Sequence, residues 1–96
     1  MKSEWKTLVD DERGVLKVEF NSGMVFLHVV LRLPMEGIRA IRRELPAFKD
    51  VLRALGYKKM HVAIPEGDEK LYQFEKMFGF NEVKRAKGQI LMVQEC

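Results

Sequence analysis

The chain is nearly without cysteine. Cys96, its last residue, is the only one, so no disulfide can close within the sequence and a reducing, cytoplasmic setting is the expectation. Three prolines and seven glycines are too few for a collagen-like or Pro/Gly-rich disordered chain. No apolar run approaches the ~20 residues of a membrane-spanning helix, and the opening MKSEWKTLVDDERG lacks the apolar stretch of a secretory leader. Low-complexity segments, linkers and internal repeats are missing too, which predicts one domain over residues 1–96. Two histidines and a distant cysteine give no metal-ligand spacing, so no metal is expected. No cluster of serine, cysteine and histidine points to a nucleophilic enzyme.

What remains has the composition of a globular domain: 47% hydrophobic and 32% charged residues in a chain of 96. A domain of this size buries only about 60–65% of its unfolded surface, so a homodimer or a protein partner would add stability. The net charge of +3 is mild. Nucleic-acid binding would need that charge gathered on one face and aromatic residues set among the cations.

Apolar spacing divides the chain into segments. Trp5–Val9 reads as a short strand and Asp10–Gly14 as its turn. Val15–Phe20 alternates Leu16, Val18 and Phe20 against Val15, Lys17 and Glu19, the period of a half-buried strand. Asn21-Ser22-Gly23 makes a hairpin turn. Met24–Leu33 is apolar on both faces apart from His28 and Arg32, which predicts a central strand covered on both sides. Pro34 ends that strand. From Gly37, the residues Ile38, Ile41, Leu45, Phe48, Leu52 and Leu55 recur at helical spacing. Pro46 falls inside this pattern and is expected to kink or split the helix, and Gly56 suits its C-terminal cap. Met60–Ile64 is a strand stopped by Pro65. Asp68 N-caps a helix that buries Leu71, Phe74 or Glu75, and Phe78, and Gly79 closes it. Asn81–Ala86 and Gln89–Glu95 form a hairpin about Lys87-Gly88, with Val83, Ile90, and Met92 or Val93 inward. The predicted fold is α+β, ordered β-β-β-α-β-α-β-β, with a mixed, mostly antiparallel sheet.

The stretch GIRAIRRELPAFKDVLRALGYKKMHVAI, followed by a helix ending in Gly79-Phe80, resembles the C-terminal two-thirds of the GCN5-related N-acetyltransferase (GNAT) family. The resemblance implies that the family's fourth strand splays from its fifth and that acetyl-CoA lies in the wedge, its pyrophosphate on backbone amides at the start of the next helix. The family's loop (Arg or Gln, two residues, Gly, one residue, Gly or Ala) falls here on Pro34, Gly37 and Arg39, so only Gly37 matches. Where the family often carries Asn, Ala, Tyr and Gly-Phe, this chain has Asp68, Leu71, Glu75 and Gly79-Phe80. The family's first strand and its two following helices, which wall the acceptor site, have no counterpart before Trp5.

Carried over residue by residue, the resemblance implies that the backbone of Leu31, Arg32 and Leu33 holds the pantetheine and that Gly37, Ile38, Arg39 and Ala40 hold the pyrophosphate. Gly37 could equally ease a strand-to-helix turn, and Arg39 could clamp a phosphate, plug the groove or be a solvated helix residue. Three residues are candidates for acid–base work. Tyr72 lies one turn before the family's tyrosine position, Glu75 occupies it, and His28 stands on the strand from which the family often draws a base. A sheet-face histidine with a hydrogen-bond partner is the plainer reading of His28. Arg39, Arg42, Arg43, Lys49 and Arg53, with Lys58 and Lys59, give a basic helix side that Glu44 and Asp50 interrupt, so local pairing explains it better than nucleic acid does.

Two functions follow as expectations. One is an acetyl-CoA-binding protein that transfers an acetyl group to an amine. The other is a non-catalytic structural or interaction module, as in a phage or bacterial accessory protein, that retains the fold without the chemistry.

Overall fold

A computed structural model describes residues 3–96. The elements are β1 (Glu4–Asp11), β2 (Gly14–Asn21), β3 (Met24–Leu31), α1 (Pro34–Ala54), β4 (Lys59–Pro65), α2 (Glu69–Met77), β5 (Asn81–Ala86) and β6 (Gln89–Glu95). This is the predicted order. The strands form one six-stranded sheet, β1-β2-β3-β4-β6-β5, antiparallel except where β3 meets β4.

Local chemistry sets the turns. Ser22 and Gly23 both have positive φ, as do Lys87 and Gly88, the mirror-image turn whose twist suits a two-residue hairpin. Each helix ends in a paired backbone cap that requires a left-handed residue, supplied by Gly56 and Gly79. In α1, Tyr57 N–H bonds to the Leu52 carbonyl and Gly56 N–H to that of Arg53. In α2, Phe80 bonds to Glu75 and Gly79 to Lys76. These two pairs satisfy carbonyls that a helix end otherwise leaves open. Asp68 caps α2, its carboxylate accepting from the Leu71 amide at 3.1 Å.

The core lies between the sheet and both helices. Val18, Val25, Leu27, Val62, Ile64 and Met92 project from one sheet face, and Ile41, Leu45 and Leu52 of α1 pack onto them. Phe74 of α2 and Phe78 at its C-cap close the same side. Both helices share this face because both crossovers run in the same direction along the sheet and have the same hand.

Four expectations need correction. β3 is not covered on both sides: Val25 and Leu27 are buried, but His28 and Val30 are exposed on a face that no helix among the described residues overlies. An apolar run signals β-propensity as well as burial, so it cannot tell one covered face from two. The residues Pro34-Met35-Glu36 are not loop but the first turn of α1, with proline at a position where its missing N–H costs nothing. The helix is not split at Pro46, since α1 runs unbroken through it; Pro46 is exposed, which leaves its ring clear of the core. Val83 does not face inward. It is 54% exposed at a register shift between Glu82 and Lys84, a bulge that turns it out of the pleat.

Candidate functional site

β3 and β4 are joined by a single ladder pair, Phe26 with His61. Beyond it β3 continues to Leu31 and β4 to Pro65 with no further pairing, so the strands diverge and the β4-facing edge of β3 is left without a strand partner. On the helix side this wedge opens into a cleft of about 460 Å³, lined by Val29 and Leu31 of β3, Pro34 and Ile38 of α1, and Asp68, Lys70, Leu71 and Phe74 of α2. The size lies in the range of ordinary ligand sites.

The starts of both helices stand at this cleft. Leu33 caps α1 without a side-chain bond, Pro34 has no N–H, and the Gly37 amide bonds back to Leu33 at 2.8 Å. The free donors of that first turn are therefore the amides of Met35 and Glu36. The Lys70 side chain makes no ion pair among the described residues and supplies the cleft with a positive charge. An apolar floor with free amides and a cation at its edge fits a ligand that has an apolar chain and an anionic end.

The sequence-derived site residues separate in space. Leu31 and Ile38 line the cleft. The amides of Arg32 and Leu33 both donate to the Arg13 carbonyl at 3.0 Å, which ties the start of α1 to the β1–β2 turn and leaves neither amide free for a ligand. Gly37 and Ala40 lie on the buried face of α1. A Cβ on Gly37 would stand 2.7 Å from Leu31 Cδ2 and 3.1 Å from the Arg13 carbonyl, so this glycine allows α1 to approach the sheet. Arg39 is exposed and outside the cleft lining.

The acid–base candidates lie apart from one another. The Tyr72 hydroxyl donates to Glu82 at 3.1 Å, Arg85 lies over its ring, and that hydrogen bond raises the phenol's pKa. Tyr72 is thus occupied on the β5 side of α2. Glu75 is only 4% exposed and lines a small cavity among Leu16, Leu27, Ile41, Leu45 and Phe80. Burial without a hydrogen-bond donor pushes its pKa up to about 7. Its cavity shares Val29 and Phe74 with the cleft wall, so the two spaces are neighbours. His28 is on the opposite face of the sheet, its Nε2 3.0 Å from Glu19 Oε1 and its ring 4.6 Å from that of Trp5. On the same face His61 bonds through Nδ1 to the Val25 carbonyl at 3.2 Å.

The basic side of α1 is largely occupied. Arg43 pairs with Glu44, Arg53 with Asp50, and Lys49 bonds to Gln94, while Arg42 lies over Phe78. Cys96 is half-buried, with its amide bonded to Lys58. Among the described residues no group of histidine, cysteine and carboxylate side chains could hold a metal ion, and no helix is long and apolar enough to cross a membrane.

Sequence reasoning missed Val29, Lys70 and Phe74 as cleft residues. A signal for the last two was present: Lys70, Leu71 and Phe74 follow the Asp68 cap at spacings that place them together on one side of the first two turns of α2.

Comparison with solved structures agrees with the topology. PaiA N-acetyltransferase from Thermoplasma acidophilum, solved in complex with coenzyme A, superposes with a TM-score of 0.71 at 11% identity, over 86% of this chain and 53% of that one. A protein assigned as an acetyltransferase from Agrobacterium tumefaciens superposes with a TM-score of 0.60 at 15% identity, over 99% of this chain and 75% of that one. This chain spans about half the length of PaiA. No protein-family model and no curated protein matches it. The fold is GNAT-like, a six-stranded, mostly antiparallel open sheet with two helices.

Proposed function

We propose that this chain binds an acyl-CoA, acetyl-CoA in the first instance, in the wedge between β3 and β4, and transfers the acetyl group to an amine. The observation that carries the reading is the wedge itself: parallel strands joined at one pair, with a cleft of about 460 Å³ beside it, between the end of β3 and the starts of both helices. A fold neighbour solved with coenzyme A supports the same ligand class. The unpaired edge of β3 near Val29 and Leu31 would receive the pantetheine amides, and Ile38, Leu71 and Phe74 its apolar portions. The Met35 and Glu36 amides and Lys70 would face the phosphates.

Bound acetyl-CoA would supply an activated acyl carbon. An amine nitrogen would form the new bond to that carbon as the carbon–sulfur bond breaks, with the electron pair leaving on sulfur and the proton lost from nitrogen passing through water to the thiolate to give free CoA thiol. The chain's part is to hold the thioester in the wedge and keep the cleft floor apolar.

A second reading, a non-catalytic module that retains the fold, is favoured by one observation. Among Tyr72, Glu75 and His28, none lines the cleft, and Tyr72 is committed to Glu82.

Calorimetric titration with acetyl-CoA tests the proposal, with Leu71→Trp as the variant that fills the cleft. Heat from the unmodified protein that disappears in the variant is the expected result. No heat at high micromolar ligand would end the acyl-CoA reading, and binding that survived Leu71→Trp would move the site elsewhere. Binding without release of free CoA thiol across a panel of primary amines would select the non-catalytic reading.

A further inference from the structure

Among the described residues nothing covers the sheet face opposite the helices, and its residues fall in ordered rows. Trp5, Glu19, Phe26 and His61 are register partners across β1 to β4, and Thr7, Lys17 and His28 form the next row. Trp5 is 51% exposed and Val30 60% exposed, and Phe26 is half-buried beside His61, with ring centroids 5.4 Å apart. A sheet with one face packed and the other apolar but open is a face awaiting a partner.

Charged residues such as Asp10, Lys59 and Glu95 stand towards the margins of this face, and two of opposite sign stand near its middle on β2. Lys17 makes no ion pair among the described residues. Glu19 accepts hydrogen bonds from Ser3 at 2.8 Å, His28 at 3.0 Å and Asn21 at 3.4 Å, and among the described residues it has neither lysine nor arginine paired with it. The two lie two residues apart on β2, about 7 Å along the strand, and point to the same side. A two-fold axis that runs across the strands at the level of Val18, in the plane between two stacked sheets, reverses β2 over its own copy. It sets Lys17 of one protomer against Glu19 of the other, twice. The same operation brings Phe26 over His28, and Val30 over Met24. The middle of the face is therefore complementary to itself, the condition for a closed dimer.

We propose that a second copy of this chain covers this face, the two sheets packing in the aligned manner of a β-sandwich with a reciprocal Lys17–Glu19 contact at the centre. The Cα extents of 32 × 32 × 24 Å give a sheet broad enough for the roughly 800 Å² a side of a standard interface. The wedge cleft lies on the helix side and stays open in such a dimer, so this inference stands whether or not an acyl-CoA binds there.

Sedimentation velocity from low to high micromolar protein tests it, with folding of each variant checked by circular dichroism. The unmodified chain is expected to sediment as a dimer. Because the two-fold repeats the contact, Lys17→Glu alone and Glu19→Lys alone each create two like-charge pairs, and each is expected to weaken the dimer at least tenfold. An equimolar mixture of the two variants forms one native Lys17–Glu19 contact and one of reversed sense, and is expected to recover the dimer. Val30→Lys, which leaves the charge pair intact, is expected to dissociate it as well. A monomer at all concentrations would overturn the proposal. So would a dimer indifferent to Lys17→Glu and Val30→Lys, or single variants that fail to associate with each other.

Discussion

His28 on β3 and Glu19 on β2 are joined across the open sheet face, Nε2 to Oε1 at 3.0 Å, and the Trp5 ring packs tilted against the histidine ring with centroids 4.6 Å apart. Hydrogen bonds from Ser3, His28 and Asn21 hold the Glu19 carboxyl below its ordinary pKa, the bond from Ser3 first among them. A depressed carboxylate contributes stability that is complete above its unfolded pKa and is lost as pH falls through the folded one.

Acidification below about pH 4.5 is therefore expected to protonate Glu19 and release His28. Trp5 is the only tryptophan in the chain, so its emission reports the event directly. A fluorescence titration should show a transition on the acid side, and Glu19→Gln should abolish it. An unchanged titration in that variant would mean that the carboxylate does not govern the position of the histidine.

Glu75 is expected to behave in the opposite sense. Its folded pKa of about 7 stands above the ordinary 4.5 because its cavity is apolar. Stability is then complete below pH 4.5 and declines as pH rises towards 7, since the unfolded chain ionises while the folded one resists. The full effect is about 3 kcal/mol. Urea unfolding at pH 5 and pH 8 should show this loss, and Glu75→Met should remove it and be the more stable form at pH 8. Equal stability of the unmodified protein at both pH values would refute the assignment.

Gly14 and Gly23 both have positive φ, yet they differ in surroundings. A Cβ on Gly14 would run into the Val30 carbonyl oxygen, a backbone atom with little room to yield, whereas one on Gly23 meets nothing within 4 Å. Gly14→Ala is expected to cost more than about 2 kcal/mol and Gly23→Ala about 1 kcal/mol. Thermal melts of the two variants compare them, and similar costs would show that the close approach of β2 to β3 at Val30 can relax.

Much of the fold was legible from local chemistry. The alternation in Val15–Phe20, the glycine caps at Gly56 and Gly79, the Asp68 cap and the Lys87-Gly88 turn each depend on a few neighbouring residues. The wedge was foreseen only through family likeness, because a splay between β3 and β4 depends on pairing between segments far apart in sequence. For the same reason, the separation of Tyr72, Glu75 and His28 was hidden. Tyr72 and Glu75 are close in sequence, but one meets Glu82 on β5 and the other the core beneath α1.

The sequence by itself determined the elements, their order and the turns between them, since caps, periodicity and left-handed glycines act over a few residues. Only the tertiary structure decided that Gly37 serves the approach of α1 to the sheet, that the Arg32 and Leu33 amides are bound to the Arg13 carbonyl, and that nothing among the described residues covers one sheet face. These outcomes depend on which distant backbone group arrives opposite each residue once the crossovers close. Residue pattern along a strand records apolarity; it does not record what covers it.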